Sequence, residues 1–139
     1  MVARNITRRP DYKDLDLDFI AHPTTGDVVK KTGMEAIRRS IRNLILTNFY
    51  DRKFQHYIGS NAQKILFDNI NPLTATFLKN AIIETIVNHE PRAQLFDTED
   101  RGVEVVVSED NNGYNVRISF IEVNSGQPQN ITLFLERIR

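Results

Sequence analysis

The spacing of apolar side chains changes once along this chain of 139 residues, from a helical repeat to a repeat of two, and that change restricts the folds open to it. Ile37, Ile41, Leu44 and Ile45 recur at helical intervals, and Leu73, Phe77, Leu78, Ala81, Ile82, Ile86 and Val87 do so again as a wide apolar stripe. Past residue 100 the period shortens. Val103, Val105 and Val107 begin a strand, Asp110-Asn111-Asn112-Gly113 supplies a turn, and Tyr114, Val116, Ile118 and Phe120 alternate with Asn115, Arg117 and Ser119. Ser125-Gly126-Gln127-Pro128 turns the chain once more before a last strand over residues 131–138. Two helical stripes followed by a meander of strands describe an α+β fold, with two main helices packed on a small antiparallel β-sheet.

Local signals place the boundaries. Thr32 and Glu35 fit a capping box, so the first helix is predicted over about residues 33–47. Asn71-Pro72 starts the second helix, because Asn caps free backbone N–H groups and Pro tolerates the first helical position. Pro91 disfavours helical geometry at Glu90 and ends it. Upstream, Leu15, Leu17 and Phe19 alternate with Asp14, Asp16 and Asp18, which predicts a half-buried strand with an acidic outer face, stopped by His22-Pro23. Ile65, Leu66 and Phe67 fit a short helix or a strand equally well, and Phe120-Ile121 allows either a bulge or burial on both faces. Residues 1–12 are polar and basic and read as a mobile arm, leaving residues 13–139 as one domain.

Composition narrows the function. The 18 Lys and Arg balance the 18 Asp and Glu, so no net field draws the chain to nucleic acid or to an acidic membrane. Without cysteine there is no disulfide framework and no thiolate metal site. The apolar runs are far shorter than a membrane span, and residues 1–10 lack the apolar stretch of a secretion signal, so a soluble protein made inside a cell is expected.

Catalytic motifs are sparse. His22, His56 and His89 lie far apart with no metal-ligand spacing, and neither a phosphate-binding glycine loop nor a nucleophile elbow occurs. No cofactor or metal is expected. Glu84, Glu90 and Asp97 can be paired as glycosidase acids, but spacing alone does not select them. Arg38, Arg39 and Arg42 line the outer face of the first helix. A solvated face on which Glu35 supports Arg39 accounts for them, with an acidic partner or a phosphate as the alternative. Arg52, Lys53, Phe54, His56 and Tyr57 have the makings of a base-stacking surface, although a packed loop explains them better.

Two features suit protein partners. Glu90 sits at the negative end of a helix dipole, where a cation such as Arg92 compensates it. The pair is either a local ion pair or a rigid donor of charge-assisted hydrogen bonds to another chain. The final strand is either an ordinary edge blunted by Glu136, Arg137 and Arg139 or a template for a donated strand.

The order of these parts resembles a known family. The DLDLDF strand leading to AHP, the helix EAIRRSIRNLILT, ILFDNINPLTA and NHEPR, then a β-meander, are similar to the gene-25-like baseplate wedge subunits of contractile phage tails over residues 14–138. Asn71-Pro72-Leu73-Thr74 and Glu90-Pro91-Arg92 are the most diagnostic pieces. Relatives have a proline where Arg52-Lys53-Phe54 stands, which leaves that loop's conformation open. The resemblance implies a non-enzymatic structural protein of the virion tail baseplate, assembled in the host cytoplasm, present in several copies and binding neither nucleic acid nor membrane. It implies a sheath-handshake-like sheet, with Glu90, Pro91 and Arg92 docking on the helical bundle of the large wedge proteins. The strand Ile131, Thr132, Leu133, Phe134 and Leu135 would face the sheath protein, with central tube-hub proteins as further candidate partners. A type VI secretion baseplate subunit and a lysozyme-like glycoside hydrolase are the alternatives.

Overall fold

The computed structural model describes residues 13–16 and 18–138. The chain divides into two compact units, residues 1–36 and 37–139, where the sequence predicts one domain over 13–139. The predicted arm over residues 1–12 lies outside the described residues.

The first unit holds an antiparallel pair, β1 (Lys13–Leu15) and β2 (Lys30–Thr32), in the register Lys13↔Thr32 to Leu15↔Lys30. Its connecting chain is closed by its own backbone bonds, His22 N–H to Asp27 O and Val29 N–H to Ile20 O. The acidic outer face predicted here fails at Asp16, while Asp14 is half-buried and Asp18 exposed. Asp16 is buried, whereas Leu15 and Phe19 are exposed, and Phe19 adopts a φ of 50°. The strand pairs for only three residues before turning, so period-two logic lapses at Asp16. That carboxylate can be buried because it accepts from the Asp18 N–H (3.2 Å) and lies 3.6 Å from Lys31 Nζ.

Helix α1 spans Met34–Leu46, and its residues from Ile37 onward belong to the second unit. There Ile37, Ile41 and Ile45 join Leu66, Leu78, Ile82 and Ile86 against one face of a sheet that supplies Val103, Tyr114, Val116, Ile118, Phe120, Ile131 and Leu135. The ambiguous segment Ile65, Leu66 and Phe67 is no strand: Ile65 ends the short helix α2 (Ala62–Ile65), and Leu66 and Phe67 form the turn after it. Helix α3 (Pro72–His89) starts where predicted: Asn71 is extended, and its Oδ1 accepts the Thr74 N–H at 2.7 Å. Its buried face is narrower than the apolar stripe. Ala75, Leu78, Ile82 and Ile86 go inside, together with Thr85, whose hydroxyl donates to the Ala81 carbonyl at 2.7 Å. Leu73, Phe77 and Val87 stay exposed, since a helix covering a single sheet buries only part of its circumference.

The sheet contains β3 (Ala93–Leu95), β4 (Val103–Ser108), β5 (Gly113–Glu122) and β6 (Pro128–Glu136). Along one edge of β5, β4 pairs with its first half and β3 with its last three residues; along the other, β6 pairs from Gly113↔Glu136 to Ile121↔Pro128. The ladder is continuous through Phe120 and Ile121, so there is no bulge. Phe120 is buried and Ile121 half-buried, one on each face. Strand β6 begins at Pro128, three residues before the predicted start, at a position where a strand tolerates proline.

Bonds at both ends of the ladder fix its phase. Glu122 N–H donates to Gln127 O (3.1 Å) and Arg137 N–H to Asn112 O (2.9 Å), so even-numbered residues of β5 point their peptide groups at β6. Ser119 N–H to Gly102 O (2.7 Å) shows odd-numbered residues facing the other way. Antiparallel alternation then turns the peptide groups of Asn130, Thr132, Phe134 and Glu136 away from β5.

The β5–β6 approach is tight at Gly113, where a Cβ would lie 2.5 Å from the Leu135 carbonyl oxygen and 2.7 Å from Cζ of Phe134. Gly113→Ala is therefore expected to destabilise the protein by about 1–3 kcal/mol in urea titration, because backbone must shift to admit one methyl group.

Candidate interaction surfaces

The corner at the end of α3 is built by three consecutive residues. Glu90 leaves helical geometry (φ −126°, ψ 77°), as the proline after it requires, while its N–H still bonds Ile86 O at 2.9 Å. Arg92 then turns back on it. Arg92 Nε donates to Oε1 of Glu90 at 2.5 Å and a terminal guanidinium nitrogen donates to Oε2 at 2.8 Å, a two-pronged charge-assisted pair. Glu90 is 1% exposed and the Arg92 side chain 16%. The Arg92 carbonyl accepts the Val123 N–H at 3.1 Å, which anchors the corner to the chain just past β5. Of the three predicted residues, Pro91 is exposed, Arg92 partly so, and Glu90 faces inward as the brace that holds Arg92.

The predicted sheath-facing strand divides by parity. Ile131 and Leu135 are buried and Leu133 half-buried on the helix side, and all three bond to β5. Thr132 and Phe134 are exposed and turn their peptide groups outward. They share this property with Asn130 and Glu136, which lie outside the predicted residues. Among the described residues β6 pairs with no strand other than β5, and no strand lies along its outer edge.

Other surfaces were not legible in the sequence. Beside the outer edge of β4 runs a cleft of about 640 Å³, lined by Pro72, Ala75, Thr76 and Lys79 of α3 and by Val105 and Val107. The aromatic loop after α1 is not packed, contrary to the sequence reading. Phe54 is 94% exposed, Tyr50 stacks on His56 at 5.8 Å, and Tyr50 and Phe54 both have positive φ. Backbone bonds such as Tyr50 N–H to His56 O (3.0 Å) hold this loop, so its aromatic rings need not enter the core. A second cleft of about 670 Å³ lies between Tyr50, Tyr57, Lys64 and Phe67.

The acids weighed as a glycosidase pair are placed differently from one another. Glu84 and Asp97 are exposed, and both oxygens of Glu90 are engaged by Arg92. Among the described residues no three His, Cys, Asp or Glu side chains are grouped to hold a metal ion, and no helix is long and apolar enough to cross a membrane.

Residues 31–122, well over half of the chain, match the family model described as "Baseplate wedge protein gp25". This chain belongs to that family. The gp25 baseplate wedge protein of Enterobacteria phage T4 is 31% identical over 81 residues, which are 58% of this chain and 61% of the T4 protein. The chain thus spans about three-fifths of the length of that curated relative. The fold is shared with a protein of Geobacter sulfurreducens that carries the name of a tail lysozyme, at a TM-score of 0.66 and 21% identity over 76% of this chain and 91% of the other. It is shared also with a chain of the six-fold symmetrised baseplate of the anti-feeding prophage, at a TM-score of 0.61 and 21% identity over 97% and 93%. This gp25 family member therefore shares its α+β architecture with those two proteins.

The buried pair has a measurable consequence. Arg92→Ala leaves the Glu90 carboxylate buried without its fork and is expected to cost about 3–5 kcal/mol of stability in denaturant titration. The double variant Glu90→Leu/Arg92→Met, which removes both charges, is expected to recover most of that loss.

Proposed function

We propose that this gp25 family member is a non-catalytic wedge subunit that starts the sheath of a contractile tail, docking through one corner and receiving foreign strands along one edge. The observation that carries the reading is the open outer edge of β6, with four consecutive alternate residues turning their peptide groups away from the chain's own sheet. Main-chain groups in that arrangement accept an added strand whatever its side chains. The sheath protein, which must attach copy by copy to a baseplate, is the partner in need of such a template.

The second contact is the corner Glu90-Pro91-Arg92. The Glu90 brace fixes Arg92, so that its guanidinium meets the large wedge proteins with little ordering left to do. The wedge helical bundle is the docking partner in this reading, with tube-hub proteins adjacent, several copies per baseplate, and assembly in the host cytoplasm. The similarity to a protein carrying a tail-lysozyme name leaves hydrolysis as the competing activity. Measurable turnover of purified peptidoglycan by this chain would overturn the non-catalytic assignment.

Thr132→Pro tests the edge. Proline there removes only an outward N–H, a substitution that edge strands tolerate, so the variant is expected to keep its fold by circular dichroism. It is expected to lower sheath nucleation on purified baseplates at least tenfold, counted by electron microscopy. Unchanged nucleation would overturn the template role.

A further inference from the structure

The apolar layer beneath the helices runs out at β4. Tyr114 and Val116 of β5 are fully buried, yet their register partners Val107 and Val105, which share that face of the sheet, are only half-buried. The cleft of about 640 Å³ beside them is walled by Ala75, Thr76 and Lys79 of α3. The same two valines present main-chain groups to it. Ser119 N–H bonds Gly102 O, so in the register that follows Glu104, Val106 and Ser108 turn their peptide groups to β5, and Val105 and Val107 turn theirs outward. Val103 points outward too, but its N–H is taken by Asp100 O at 2.8 Å. Among the described residues no strand pairs along this edge. Charge around the cleft is balanced: Lys79 pairs with Asp100, and Glu104 lies in register with Arg117.

We propose that this edge of β4 takes an uncharged extended segment of a partner protein, paired to Val105 and Val107 through main-chain hydrogen bonds, with apolar side chains at every second position filling the cleft against α3. The site does not rest on the role given to β6, and it differs from it in kind. Main-chain bonds supply affinity, while a cleft between a strand edge and a helix selects side chains. Side chains alternate across a strand, so only one face of the segment needs to be apolar. With opposite charges already set against one another, the cleft favours neither acidic nor basic residues, and apolar burial decides the fit. A second copy of this chain is a poorer occupant, because its own Val105 and Val107 would point at its own α3 and leave both clefts unfilled.

The test uses the full chain and two uncharged fluorescent nine-residue peptides, one of alternating Ile and Thr and the other with each Ile replaced by Ser. Binding is read by fluorescence anisotropy at low and high salt. The Ile peptide is expected to bind at least tenfold more tightly than the Ser peptide, with no change on adding salt. Thr76→Trp, which fills the cleft from an exposed position of α3, is expected to weaken it at least tenfold, whereas Thr132→Pro on β6 leaves it unchanged. Amide exchange reads the site without any substitution: the Val105 and Val107 N–H groups should slow in the complex. Equal affinity for the two peptides, binding that ignores Thr76→Trp, or binding lost with Thr132→Pro would each overturn the proposal, as would unchanged exchange at both valines or failure of either peptide to bind. A concentration-dependent dimer that Thr76→Trp dissolves would overturn it as well, by giving the edge to a second copy.

Discussion

Strand β5 is hydrogen-bonded along both of its edges, and the rest of the second unit is arranged around that fact. Its ten residues pair with β6 along one side and with β4 and then β3 along the other, so β5 has no edge left to offer. The helices cover one face of the sheet, where Tyr114, Val116, Ile118 and Phe120 are fully buried. Openness is thereby displaced to the strands on either side. β6 pairs along its whole length and is held in one register by bonds at both ends, so its outer edge is presented in a fixed phase. A template of this kind involves little ordering on its own side when a second strand arrives.

The Glu90 corner lies on the opposite flank of β5 from β6. Arg92 bonds through its carbonyl to Val123, and β3, which follows directly, pairs with the end of β5. A contact at Arg92 and a contact at β6 therefore involve different edges of one sheet. In the proposed function this separation would let a wedge partner and a sheath partner bind together, with β5 between them. The proposed docking would draw on the buried carboxylate too, since a guanidinium gripped at two nitrogens has less freedom to lose on binding than a solvated one.

Much of this was legible from residue spacing. The change of period separated helices from strands, and Asn71-Pro72 and Pro91 bounded α3 because their backbone chemistry is local. Glu90 was recognisable from its misfit with the helix dipole, and its pairing with Arg92 follows from that misfit. What escaped depended on distant contacts. β3 is three residues long with no alternation of its own and exists because β5 extends beyond β4. The burial of Asp16 depends on Lys31, fifteen positions away, and the exposure of Phe54 on a loop closed by its own backbone. The strand at residues 131–135 was found, but which of its residues face outward depends on the phase set by the turn between Glu122 and Gln127. Asn130 and Glu136 were missed for that reason.

Amide hydrogen exchange along β6 tests the account most directly, because it reads the outward peptide groups one at a time. In the isolated protein the N–H groups of Asn130, Thr132, Phe134 and Glu136 should exchange rapidly while those of Ile131, Leu133 and Leu135 are protected. In the complex with sheath protein all seven should be protected. Slow exchange of the four outward amides in the isolated chain, or rapid exchange that persists in the complex, would contradict the open edge on which the proposed function depends.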